Sequence, residues 1–241
     1  YWYDDPHRPT RDVDLLGFGQ DDTEHLVAIF GEIAAMDMDD GIVFDLDSVR
    51  ADEIREDTTY GGTRISLVGR INNARCALQI DIGFGDVVTP AAQTATFPTL
   101  LNDFKAPVLK VYPVYTVIAE KYQAMVMLGL ANSRMKDFYD LAVIARRTDL
   151  DGKTLAAAIS ATFARRKTPL PSQQPLALTH TFSQDDGKKR QWQAFLRKNQ
   201  MGAEALDHTV DLLDRLLWLP TEIACEKAAP AMWVASETRW A

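Results

Sequence analysis

The chain of 241 residues is 46% hydrophobic and 25% charged, an ordinary globular composition with room for one large core or two lobes. No apolar run reaches the ~20 residues that a membrane helix needs, so no membrane partner is expected. A net charge of −8 argues against general nucleic-acid affinity, which calls for a basic surface. The chain starts at Tyr1 without a methionine, and the natural start is expected upstream. Residues 12–16 read as a short strand ending at Gly17, with Val13 and Leu15 entering the core and Asp12 and Asp14 on the other face. Residues 22–36 carry Leu26, Ile29, Phe30 and Ile33 at helical spacing behind a cap at Asp22 or Thr23. Alternation marks strands over 43–49, 63–71 and 74–85, the last two joined by a hairpin turn at Asn72-Asn73. Residues 108–112 form one more strand.

From Pro113 onward the pattern is helical. Helices are expected over 113–130, with the proline in the first turn, and over 133–147, with Ser133 at the N-cap. Others follow over 151–166, 184–199 and 205–219, and the Pro- and Gln-rich stretch 167–177 is a linker. Strands first and helices afterwards predict an α+β protein: a sheet lobe over 1–112 and a helical lobe over 113–241. Cys76 and Cys225 lie far apart and form no motif, which suits reduced thiols and a cytoplasmic location. His7, His25, His180 and His208 show no zinc-ligand spacing. The cations gather in the second half, where most are expected on solvated helix faces.

Four short stretches carry candidate chemistry. Asp12 and Asp14, at i and i+2 of a strand, share one face and would repel unless a cation sits between them. Mg²⁺ is the cation that suits hard oxygen ligands and phosphoryl chemistry. The pattern alone is common; "DLD" at 45–47 repeats it. Asp81, alone among isoleucines in "LQIDIGFGD", is unfavourable without a partner and would be a third carboxylate if its strand neighbours 12–16. Lys121 lies beside the apolar stripe of Val117, Met125 and Leu128, so it either snorkels past the core or points at something negative. Asp137 and Asp140 are one turn apart on a helix, where Arg134–Asp137 and Lys136–Asp140 are candidate intrahelical ion pairs.

In that order, "RPTRDVDLL", "LQIDIGFGD", "VYPVYTVIAEKYQAMVMLG" and "NSRMKDFYDL" closely resemble the AbiEii/AbiGii-type nucleotidyltransferase toxins. The resemblance runs from about Tyr1 to Arg147. It implies a polymerase β-like nucleotidyltransferase core. It also implies a cytoplasmic bacterial toxin of a toxin–antitoxin or phage-defence system, with a cognate antitoxin. The implied activity is Mg²⁺-dependent transfer of a nucleoside monophosphate from an NTP, with the 3′ end of tRNA as the expected acceptor. By motif, Asp12 and Asp14 would be metal ligands, Asp81 a third strand carboxylate, Lys121 the triphosphate contact and Asp137 the helical acid. Arg8 and Arg11 would balance the nucleotide's charge, and Lys136 and Asp140 would lie in the nucleotide-binding segment. A Gly-rich phosphate cradle, which the resemblance implies before the D-x-D strand, is absent and is expected upstream of Tyr1. Two other readings stay open: an enzyme that moves AMP onto a protein hydroxyl, and a catalytically dead scaffold acting as a binding protein.

Overall fold

The computed structural model describes residues 8–10, 12–56, 60–99, 101, 103–202 and 204–241, without the side chains of residues 12, 55, 56 and 60. The chain is α+β and divides into two compact units. One is Thr10–Asp86; the other is Val87–Ala241 together with the segment that holds Arg8 and Pro9. The division falls after Asp86 and not at Tyr112, because the strands near residue 110 pair with each other and not with the main sheet.

The first unit holds β1 (Asp12–Gly17), α1 (Thr23–Ala34), β2 (Ile42–Glu56), β3 (Tyr60–Ile71) and β4 (Ala74–Phe84). The sheet order is β1-β4-β3-β2, with β1 parallel to β4 and the other pairs antiparallel. Asp22 caps α1 by accepting from the His25 backbone N–H at 2.8 Å. The β3–β4 hairpin turns at Asn72-Asn73, and Asn72 takes the left-handed conformation that asparagine tolerates, φ 51°. Between Asp45 and Arg50 the β2–β3 register slips; there Ser48 Oγ accepts from the Val68 N–H at 2.9 Å, replacing a ladder bond. Leu26, Val49, Ile65, Leu67 and Ile82 form the core beneath α1.

Val13 and Leu15 do not enter this core; they are 51% and 43% exposed. They pair with Ile80 and Ile82 in register, but β1 is an edge strand and α1 packs over β2 and β3 instead.

The second unit begins with a two-stranded ladder, β5 (Gln93–Thr96) and β6 (Val108–Val111). Then come α2 (Val114–Leu128), α3 (Met135–Arg147), β7 (Leu150–Asp151), α4 (Gly152–Arg165), α5 (His180–Gln184), α6 (Asp186–Lys198), α7 (Leu206–Ala224), β8 (Met232–Val234) and β9 (Arg239–Trp240). Its core joins Ile118, Tyr122, Phe138, Leu141, Leu155, Phe163, Leu213 and Trp233. Full burial of each such aliphatic or aromatic side chain is worth about 1.5–3 kcal/mol.

Ser133 is not the cap of α3. Arg134 occupies that position, and the Asn132 side chain accepts the Arg134 N–H at 2.8 Å. The helix expected over 184–199 starts at Asp186, because Asp185 caps it and ends the separate α5. α7 continues past residue 219 through Pro220; Thr221 Oγ1 donates to the Leu217 carbonyl in that turn. Strands β5, β7, β8 and β9 are too short to leave a pattern in the sequence. β7, β8 and β9 form a small sheet whose Trp233, fully buried, donates its indole N–H to the Ala145 carbonyl at 2.7 Å. Gly152 is needed beside it: a Cβ there would stand 2.7 Å from the Ala231 carbonyl oxygen. No helix among the described residues is long and apolar enough to cross a membrane.

Candidate active-site residues

In the sheet unit, β1 and β4 are neighbours, as the reading of Asp81 required. Asp14 lies in register with Asp81, and Asp12 with Gln79. Asp14 is exposed; the side chain of Asp12 and the whole of Arg11 lie outside the described residues. Asp81 has a partner that the sequence reading did not name. Arg64, directly opposite on β3, donates Nε to Oδ1 and Nη2 to Oδ2, both at 2.7 Å. This two-pronged bond answers the cost of a carboxylate among isoleucines. It was findable: a two-residue turn at Asn72-Asn73 pairs Ile71 with Ala74, and counting outward sets Arg64 against Asp81.

Carboxylate oxygens are the donors Mg²⁺ prefers, so the exposed carboxylate of Asp14 fits that ion. Asp81 would have to share its oxygens with Arg64. Among the described residues, no three His, Cys, Asp or Glu side chains gather to hold a metal.

In the helical unit, Lys121 does not snorkel; it points at two carboxylates. Its Nζ donates to Asp137 Oδ1 at 2.7 Å and to Asp140 Oδ2 at 3.0 Å. Helix α2 presents Lys121 beside the fully buried Ala119, Tyr122 and Met125. α3 places Asp137 and Asp140 one turn apart, next to the buried Phe138 and Leu141. Asp137 is fully buried, and its Oδ2 accepts from Arg134 Nε at 2.7 Å. Asp140 is gripped by Arg8, with Nε on Oδ1 at 2.6 Å and Nη2 on Oδ2 at 2.8 Å. Arg8, Asp140, Lys121, Asp137 and Arg134 thus form one alternating chain of charges. Burial pushes the Lys121 pKa down, but the charges of Asp137 and Asp140 and their hydrogen bonds outweigh it. The ammonium is held above its ordinary value.

The Arg134–Asp137 ion pair is present. Lys136 is exposed, and Asp140 turns to Arg8 and Lys121 instead of to Lys136. Of the cations gathered in the second half, Arg146 pairs with Glu204 at 2.7 Å and Arg166 donates to Gln123 at 3.0 Å. Arg134 and Arg147 stand at opposite ends of α3.

No curated protein matches this chain. Among solved structures, it is similar to that of JHP933 from Helicobacter pylori, with 14% identity, 91% of this chain and 78% of that chain covered, and a TM-score of 0.46. It is similar also to an H. pylori chain described provisionally as a nucleotidyltransferase, with 14% identity, 91% and 80% covered, and a TM-score of 0.46. At that distance neither neighbour bears on the chemistry. The sequence matches the family "Nucleotidyl transferase AbiEii toxin, Type IV TA system" over residues 1–215, well beyond the Arg147 limit of the motif resemblance. With most of its length matched, the chain belongs to the AbiEii nucleotidyltransferase toxins of type IV toxin–antitoxin systems.

Proposed function

We propose that this chain transfers a nucleoside monophosphate from an NTP to the 3′ end of tRNA, as a toxin restrained by a cognate antitoxin in the cytoplasm and acting in phage defence. In this reaction the acceptor's 3′-oxygen bonds to the α-phosphorus. The link to the β-phosphate breaks, pyrophosphate leaves, and the hydroxyl proton passes to water. Asp12 and Asp14 would hold Mg²⁺, with Asp81 beside them on β4. The bound ion would offset triphosphate charge and activate the attacking oxygen. Lys121 would take a triphosphate oxygen, and Asp137 and Asp140 orient its ammonium.

The observation that carries this reading is Lys121. It is a lysine kept charged in a largely buried setting, 16% exposed, and it gives two of its three N–H groups to Asp137 and Asp140. The third goes to none of the described residues. The acceptor rests on family membership.

The test is a screen of four α-labelled NTPs with the purified chain, Mg²⁺ and total tRNA, then with lysate protein. Label at the tRNA 3′ end, lost in a folded Asp14→Asn variant, is the expected result. Label on protein instead would make this an AMP-transferring enzyme of the other class. No label and no Mg²⁺-dependent NTP binding would leave a silent scaffold.

A further inference from the structure

We propose that the end of α1 and the start of β2 form a docking face for a basic, amphipathic protein segment. The proposal is independent of the nucleotide reading.

The face is apolar and unpartnered. Ile29 and Ile33, one turn apart on α1, are exposed, while Leu26 and Ala34 of the same helix are buried. Met36 and Met38 follow in the connection to β2, 60% and 71% exposed. Ile42, the first residue of β2, pairs with Ile71 of β3, and both are exposed. Ile71 has the same parity on β3 as the buried Ile65 and Leu67, so the pair extends the core side of the sheet. Arg64 and Asp81 have the other parity and lie on the opposite side. The connection is held in shape: Asp37 Oδ1 accepts the Asp39 N–H at 3.0 Å, and Asp40 Oδ1 accepts the Ile42 N–H at 2.9 Å. Single exposed apolar residues are ordinary, but six large ones in one region mark an interaction site. Methionine suits such a surface, because its flexible thioether adapts to the shape it meets.

Charge names the occupant. Between Glu32 and Val49 the sequence has six carboxylates and no lysine or arginine. Across Thr10–Asp86 it has 17 acidic and 6 basic side chains, while the remainder of the chain has 17 and 20. A second copy would bring the same carboxylates to the same place, and nucleic acid or an anionic membrane would bring phosphates. Each is repelled. A protein segment whose lysines or arginines flank apolar anchors answers both the apolar centre and the acidic rim.

The test is fluorescence anisotropy of the full chain with a labelled amphipathic peptide of leucine and lysine. One control peptide has glutamate for lysine, and another has serine for leucine; both should bind at least about tenfold more weakly. Met36→Ser with Met38→Ser should weaken binding of the first peptide about tenfold. Glu32→Gln with Asp39→Asn should weaken it severalfold at low salt, with the gap closing as salt rises. Asp103→Asn with Asp211→Asn, an equal loss of exposed charge in the helical unit, should leave it unchanged. Peroxide footprinting of the unsubstituted chain, read by mass spectrometry, locates the contact without any variant. The peptide should slow oxidation of Met36 and Met38 and spare neither of the exposed Met127 and Met232. Protection confined to Met127 or Met232, equal weakening by the Asp103 and Asp211 pair, or no binding of the leucine–lysine peptide would each overturn the proposal. So would a dimer in sedimentation, or pelleting with anionic vesicles, that Met36→Ser with Met38→Ser abolishes.

Discussion

Replacing Lys121 with methionine removes the cation at the centre of the charge chain while keeping most of its apolar stem. Asp137, with no exposure, and Asp140, at 8%, would then face each other without the ammonium between them, Arg134 still bonded to the first and Arg8 to the second. Removing one partner of a buried ion pair costs about 3–5 kcal/mol; with an arginine left on each carboxylate, about 2–3 kcal/mol is the expectation here. For a protein of this size that lowers the melting temperature by roughly 5–10 °C. The second variant, Lys121→Met with Asp137→Asn, removes the stranded charge and should regain at least half of the loss. Neither variant should bind triphosphate or transfer label. Calorimetric melting and tripolyphosphate titration on the same samples separate the two effects. A Lys121→Met protein melting within 1 °C of the parent would refute the reasoning about the network. A double variant that recovers transfer along with stability would show that Lys121 serves packing and not the nucleotide.

Asp214 gives a pH-dependent test. Its Oδ1 is buried without a hydrogen-bond partner among the described residues. Burial raises its pKa, the hydrogen bond from Gln174 opposes this, and the charge of Asp211 adds to it. The folded state therefore holds this proton more tightly than the unfolded state does. Stability from the group falls as pH rises from the ordinary carboxylate value through the raised one, and the cost is full at neutral pH. Asp214→Asn should raise the melting temperature at neutral pH and lose that advantage near about pH 3. For the acceptor, exposed Lys136 is the cleanest probe: Lys136→Glu should lower tRNA labelling severalfold at low salt, with the gap closing as salt rises. Equal labelling at every salt concentration would favour a protein acceptor.

The elements that sequence made legible are those whose pattern repeats over several residues. The β3–β4 hairpin, α1 with Asp22 at its cap, and α2 through α4 are where periodicity placed them. The burial of Val13 and Leu15 was misread because alternation shows which residues share a face, not whether a helix covers it. Ser133 looks like a cap by residue type, yet Asn132 one position earlier does the capping work from outside the helix. At the candidate site, sequence spacing put Asp137 and Asp140 on one face and Lys121 beside a core. It could not show that these three meet, since that depends on how α2 packs on α3. The grip of Arg8 on Asp140 is further from reach, as no local rule links residues 132 apart.

The order in which the chain is synthesised gives the helical unit a distinctive history. The sheet unit is one continuous run, Thr10–Asp86, and can complete its pairing while later residues are still being made. The helical unit is interrupted by that run: Arg8 must wait for Asp140, and the Ala145 carbonyl must wait for the indole of Trp233. Gly152 likewise waits for Ala231. Contacts so distant in sequence form late and slowly. On the ribosome, the lysine-bearing half should therefore lock only after residues 231–241 have emerged. A partner that recognises the sheet unit alone would have that interval in which to bind before the second half is finished.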